Sequence, residues 1–309
     1  MDRNGRPLAV VVGGVNIDIG GHSAAPLVAK DSNPGRVTVC PGGVGRNIAH
    51  NLCLLGVDTC LLTAMGDDLY ANHIADSCED LGIDLSHALR VPRGTTSTYL
   101  YLNDSDGDMA LALSDMAICE NITPQYLQEN LDLIGRADAI VIDTNIPAES
   151  IAWIAGNSPA PVFADPVSTA KAEKLRPVLP KIHTLKPNLM EAELLTGLPA
   201  ANDISLFHIG RALLDTGLQR AAVTLGSRGT LAADRSAIEI IPRCNAHVRN
   251  ATGAGDAYMA ALVWSWLQGR DFRDSCRIAG AAAALAIESQ ETVNPRLSPE
   301  AVLERLEKS

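Results

Sequence analysis

From residue 137 to residue 225 the chain alternates short apolar runs with segments of helical spacing. The apolar runs are 139–142, 162–164, 184–185 and 221–225; the helical segments lie near 148–155, from Asn188 onward, and over 204–216. Strands that read as unbroken apolar runs are covered on both faces, and strands separated by helices pair in parallel through right-handed crossovers. That rhythm confines the chain to α/β folds with a mainly parallel central sheet and helices on both faces. Residues 8–12, all apolar, add a buried strand near the start, and 59–64 add another. Residues 231–241 read as an antiparallel extension, and three helices close the chain, the last over 298–306.

A second, smaller sheet is expected from segments of different patterning. Residues 97–102 and the apolar run 109–113 flank the polar tip 103–108, which reads as a hairpin. The Asp-rich tip lacks the closing Glu of a calcium loop and reads as a solvated turn. With 15–19 and 36–40 this hairpin makes a discontinuous β lid drawn from parts of 14–40 and 96–114. No repeat, low-complexity tract or linker divides residues 1–309, so the whole chain is expected to be one domain with this lid.

The formal net charge of −11 argues against nucleic acid or an anionic membrane as a partner, while leaving room for a local phosphate site. The N-terminal apolar run breaks at Gly13-Gly14, too early for a signal peptide, and the longest apolar run, 278–287, is about half a membrane span. Seven cysteines without a C-x-x-C pair suit free thiols in a reducing cytoplasm.

Chemistry concentrates in four places. Asn250-Ala-Thr-Gly253-Ala254-Gly255-Asp256 precedes 257–267, which is apolar on nearly every side and reads as a buried helix. Gly253, Ala254 and Gly255 therefore fall at a helix N-terminus, whose unpaired N–H groups and dipole attract an anion. Asp256 beside such an anion hole is either an ordinary acid of the first helical turn or a base for the group attacking a phosphate. No Gly-Lys-Ser/Thr follows, so this is not a Walker loop. Further upstream, Gly42-Gly43-Val-Gly45-Arg-Asn47 opens a helix with Val44, Ile48, Leu52 and Leu55 at helical spacing, and suits close approach of a ligand to backbone. Asn16 and Asp18 share one face of an extended segment by period-two spacing.

Asn188 and Glu191, three apart at a helix start, read equally as a capping box and as groups facing a ligand. Thr224-Leu-Gly226-Ser-Arg-Gly229 follows a buried strand and reads as a simple turn or as a nucleotide loop. Asp165-Pro166 also follows a strand. The histidines form no metal-ligand spacing, and His50 reads as a packing residue.

Gly42-Gly43-Val-Gly45-Arg-Asn47-Ile-Ala49, then Gly56 and Gly66, together with the 250–256 stretch about 200 residues later, resemble the two signatures of the PfkB (ribokinase-like) carbohydrate kinases. The resemblance implies a ribokinase-like fold and transfer of the ATP γ-phosphoryl group to a hydroxyl, with Asp256 as catalytic base and Gly253, Ala254 and Gly255 as anion hole. It further implies that Asn188, Thr224, Gly226 and Gly229 meet the nucleotide, that Glu191 and Asn188 organise Mg²⁺ through water, and that Asn16, Asp18, Gly42, Gly43 and Asn47 hold the sugar. Asp165 matches a family position near the phosphates.

The block around Arg46 and the stretch Asp31-Ser32-Asn33-Pro34-Gly35 are similar to the pseudouridine kinase branch. That similarity implies phosphorylation of the 5′-hydroxyl of pseudouridine, with Ser32 and Asn33 toward the base. Another sugar or nucleoside kinase, or a nonenzymatic nucleoside sensor on the same fold, are the alternatives. Asn250-Ala251 replaces the family's usual Asp-Thr, whose acid often helps bind a monovalent cation, so K⁺ is left open. The family also admits a homodimer through the β lid.

Overall fold

Along the strand Leu8–Val12 the side chains alternate between two cores. Ala9 and Val11 face one, with Ile48, Leu52, Met259 and Ala279; Val10 and Val12 face the other, with Ile140, Ile151, Leu179 and Leu213. A strand of continuous apolar sequence thus serves two helical layers at once. The computed structural model describes residues 5–308.

The central sheet has eight strands. In spatial order they are Ile238–Ile241, Thr230–Asp234, Arg220–Thr224, Thr184–Leu185, Val162–Asp165, Ala139–Asp143, Leu8–Val12 and Asp58–Leu62. The six strands from Arg220–Thr224 onward are parallel, and the first two form the expected antiparallel extension. Helices Val44–Leu54, Ala254–Leu267, Phe272–Ile287 and Pro299–Glu307 contribute to one core, and Ala148–Asn157, Leu189–Thr196 and Asp203–Asp215 to the other.

This is the α/β architecture with a mainly parallel central sheet and helices on both faces that the sequence rhythm implies. Among the described residues no helix is long and apolar enough to cross a membrane, and Cys60 and Cys78 are packed in the cores.

The second sheet has the order Gly35–Gly42, Asn16–Ser23, Thr98–Asn103, Met109–Asp115. Asn16–Ser23 is antiparallel to Gly35–Gly42 and parallel to Thr98–Asn103. Register gives its faces distinct chemistry. Val37, Gly21, Leu102 and Leu111 form one row on the outer face, and Val39, Ile19, Leu100 and Leu113 the next. Asp18, Cys40, Tyr99 and Ser114, with Gly20, Thr38, Tyr101 and Ala112, line the opposite face.

The strands run a few residues past their expected ends because ladder pairing continues where alternation fades, as at His22–Arg36 and Ser23–Gly35. Between 115 and 138 the sequence carries no clear period. There the chain makes three short helical turns, Ala117–Asn121, Pro124–Glu129 and Leu131–Gly135, whose Ile118, Ile122, Leu127 and Ile134 are buried against the sheet.

Candidate active site

Helix Ala254–Leu267 begins at Gly253, whose φ of 83° lies in the left-handed region and whose missing Cβ leaves room for the carbonyl of Thr292. Among the described residues no side chain caps this helix, so its first N–H groups keep no side-chain partner there. Asp256 sits in that first turn and is only 9% exposed. Helix Val44–Leu54 packs against the same helix, and Asn47 donates from Nδ2 to Asp256 Oδ2 at 2.9 Å.

Burial pushes the Asp256 carboxyl up to about 7, with Asp165 adding to the rise; Asn47 and Lys186 pull it down, and Asp143 raises it again. A carboxyl poised near neutrality can accept a proton from an attacking hydroxyl and return it.

The carboxyl ends of the parallel strands supply the rest of the polar centre, as open α/β sheets place it. Asp143 ends one strand; its carboxylate accepts from the N–H groups of Gly14 and Asn145, both at 2.8 Å. Asp165, its register partner, ends the next strand and pairs with Lys186 Nζ at 3.0 Å. After Asp165 the chain turns sharply at Val167, whose φ of 61° is strained for a β-branched residue, and the Val167 N–H donates to Asp165 Oδ1.

Burial opposes the charge of Lys186, but Asp165, Asp256 and Glu191 outweigh it and raise its pKa. A Cβ on Gly255 would lie 3.0 Å from Lys186 Nζ, so the ammonium stands against the start of helix Ala254–Leu267. Sequence reasoning passed over Lys186 as a site residue. Its only signal was a lysine directly after a two-residue buried strand, Thr184–Leu185.

Asn188 and Glu191 form a complete capping box: Asn188 N–H donates to Glu191 Oε2 at 2.8 Å and Glu191 N–H to Asn188 Oδ1 at 2.9 Å. Burial raises the Glu191 pKa against the backbone donor, with Asp165 adding to the rise. The cap takes Oε2. Among the described residues no three His, Cys, Asp or Glu side chains gather to cage a metal. The residues therefore fit a Mg²⁺ carried mainly by phosphates and reached from Glu191 through water.

Thr224 adjoins Asn188 through an isolated parallel bridge, with its N–H on the Pro187 carbonyl, so these two nucleotide candidates lie side by side. Gly226 and Gly229 flank a 3-10 turn, both at positive φ; Gly229 leaves room for the Ile241 carbonyl. At 250, where the resemblance left K⁺ open, the Asn250 amide donates to the Gln290 carbonyl and accepts from Thr252 N–H. The Asn250 amide thus ties its own turn to Gln290.

On the sugar side, Asn16 Nδ2 donates to Asp18 Oδ1 at 2.6 Å, and the missing Cβ of Gly42 leaves room for the Asp18 carboxylate. Burial raises the Asp18 pKa, with Asn16 and then Arg46 opposing. Gly43, at φ 100°, and Gly45 let the helix start lie directly on the backbone of 13–15. Asn16, Asp18, Gly42, Gly43 and Asn47 are thus gathered at the junction of the two sheets.

The 31–35 stretch is held differently. Asn33 accepts from Val28 N–H and donates to the carbonyls of Val28 and Asp31, so its amide holds its own loop, while Ser32 is exposed. Tyr99 and Tyr101, which no sequence argument selected, share the Asp18 face with ring centroids 6.0 Å apart, and His22 meets Tyr101 edge-on. Residues two apart on a strand carried that signal.

Comparison with known proteins adds independent findings. The family model for pfkB family carbohydrate kinases matches residues 6–299. A pseudouridine kinase of Escherichia coli is 41% identical over 291 residues, covering 94% of this chain and 93% of the relative. An uncharacterized sugar kinase of Escherichia coli is 38% identical over 296 residues, covering 95% and 82%. The structure of an Arabidopsis thaliana ribokinase complexed with ribose and ATP superposes with a TM-score of 0.87 at 23% identity, covering 98% of this chain and all of the other, a likeness of fold.

Proposed function

The chain belongs to the pfkB family of carbohydrate kinases and is a phosphotransferase with an alcohol group as acceptor; on that premise we propose that it phosphorylates the 5′-hydroxyl of pseudouridine from ATP and Mg²⁺. The observation that carries the reading is Asp256, a buried carboxyl near neutral pKa, held by Asn47 in the first turn of an uncapped helix. The hydroxyl oxygen attacks the γ-phosphorus, the bond to the ADP oxygen breaks, and the hydroxyl proton passes to Asp256. Positioning and charge stabilisation do most of the work in such a transfer. The N–H groups at Gly253, Ala254 and Gly255, with Lys186 beside them, would hold the transferring phosphoryl charge. Asn188, Thr224, Gly226 and Gly229 would line the nucleotide, and Glu191 would orient water on Mg²⁺.

Two features support a nucleoside over a plain sugar. The paired tyrosines 99 and 101 on the Asp18 face offer a surface on which a base can stack, and the similar pseudouridine kinase covers nearly the whole chain. Ser32, at the tip ahead of the glycine pair, would face the base, with Asn33 holding that loop in shape. The outer lid face, with Val37, Val39, Leu111 and Leu113 exposed, would pack sheet to sheet against a second copy.

The equally extensive similarity to an uncharacterized sugar kinase favours a second reading, a family kinase acting on another sugar or nucleoside. A panel of pseudouridine, uridine, inosine and ribose with coupled ADP detection separates the two. The expected result is a kcat/KM for pseudouridine at least ~10²-fold above ribose, within the range reached by sites that hydrogen-bond the distinguishing group. Equal values for the two would make this a general sugar kinase.

A further inference from the structure

Arg46 is a buried guanidinium, 6% exposed, with no ion-pair partner among the described residues. It projects from the first turn of helix Val44–Leu54 toward helix Leu69–Asp80, where Nη2 donates to Ser77 Oγ at 2.8 Å. Nη1 donates to Asn47 Oδ1 at 3.4 Å, while Nε has no partner. Asp18 attracts the guanidinium without forming an ion pair with it; a buried cation with no direct counter-charge contact is costly, and packing alone would be served by an apolar side chain of similar size. The position therefore needs a use for the charge or for its donors.

That use lies in the geometry of the neighbour. Asparagine can present either amide atom to either side, and only its partners fix the choice. Arginine can only donate, so the atom turned to Arg46 must be Oδ1, and Nδ2 is then forced toward Asp256 Oδ2. We propose that Arg46, anchored by Ser77, is a positioning residue that locks the amide of Asn47 with its donor toward Asp256 and so keeps Asp256 competent as the base. The inference rests on the reading of Asp256 as base but adds a residue and a mechanism to it.

The electrostatic surroundings agree. Asp256 is faced by Asp165 and Asp143, which favour its protonated form, and by Lys186, which opposes them; among the described residues Asn47 supplies the side-chain hydrogen bond that favours the carboxylate. With the amide reversed, a carbonyl oxygen would face the carboxyl and stabilise the protonated acid instead. Arg46 itself is faced by Cys78 from helix Leu69–Asp80, by Cys40 and Asp18 from the lid sheet and by His50 from its own helix. Burial lowers its pKa against Cys78, Cys40 and Asp18, and burial with the repulsion of Arg46 drives His50 down to about 4, so His50 stays neutral beside it.

The test is the pH profile of kcat/KM, read by ADP release with saturating Mg²⁺-ATP, for the wild type and for Arg46→Met, Ser77→Ala, Asn47→Ala and the double variant Arg46→Met/Asn47→Ala. The wild type should lose activity as pH falls through about 7. Arg46→Met should move that acid limb upward by about one pH unit, and Ser77→Ala should move it the same way by less. Because Arg46 acts through Asn47, the double variant should lie no higher than Asn47→Ala alone, the non-additivity expected of linked residues. A wild-type limb that stays in place in both Arg46→Met and Ser77→Ala overturns the role of Arg46 and leaves the base intact. Full additivity in the double variant overturns it too. A wild type with no acid limb removes the base reading first, a separate failure. Ser77→Ala, which leaves the guanidinium in place, keeps the question open to measurement if Arg46→Met does not fold.

Discussion

The two larger sheets among the described residues solve opposite problems. The central sheet is covered on both faces, with Val10, Val11, Ile140 and Val141 fully buried, and its strand ends present Asp143, Asp165 and Thr224 with Lys186 just beyond. The lid sheet is covered on neither to that degree: its outer Val37 and Leu113 are 69% and 64% exposed. Close packing on both sides fixes a group to within the tolerance that proton and phosphoryl transfer need. A sheet with an open face can carry recognition and association, where adjustment costs less. On the proposed function, chemistry would belong to one sheet and choice of ligand to the other.

That division can be broken by substitution. The largest effect is expected at Asp256→Asn, which keeps volume and the bond to Asn47 but removes the base. A positioned general base is worth roughly 10²–10⁴-fold, so kcat should fall by at least ~10²-fold with ATP binding retained. A variant keeping a tenth of wild-type kcat would remove Asp256 from the mechanism.

Next comes Lys186→Met in the covered region. It leaves Asp165 buried and unpaired beside Asp256 and Asp143, the situation in which breaking a buried pair costs about 3–5 kcal/mol. Denaturant unfolding should show that loss. A stability within ~1 kcal/mol of wild type would mean that the pair is not the anchor of the strand ends.

The smallest effect on chemistry is expected in the lid. Leu113→Lys adds charge to the outer row of Val39, Ile19 and Leu100, away from the Asp18 face. Monomer stability and kcat should stay near wild type while self-association weakens in sedimentation. If wild type and variant sediment identically as monomers, the outer face is not a dimer surface.

The sequence by itself determined whatever is decided within a few residues. Unbroken apolar runs marked buried parallel strands, whereas the short helical turns Ala117–Asn121, Pro124–Glu129 and Leu131–Gly135 were not read from the sequence. Gly42, Gly43 and Gly253 were legible because close backbone approach and positive φ are demands only glycine meets cheaply. Asn188 and Glu191 were legible because a capping box is complete within four residues. The tertiary structure alone decided the rest. Asn47 reaches Asp256 across 209 residues of chain, Asp143 meets the Gly13-Gly14 turn across 129, and Lys186 finds Asp165. Periodicity, caps and turns are short-range rules, whereas a carboxyl's proton affinity is set by burial and by charges that crossovers bring from distant strands, and no local pattern records them.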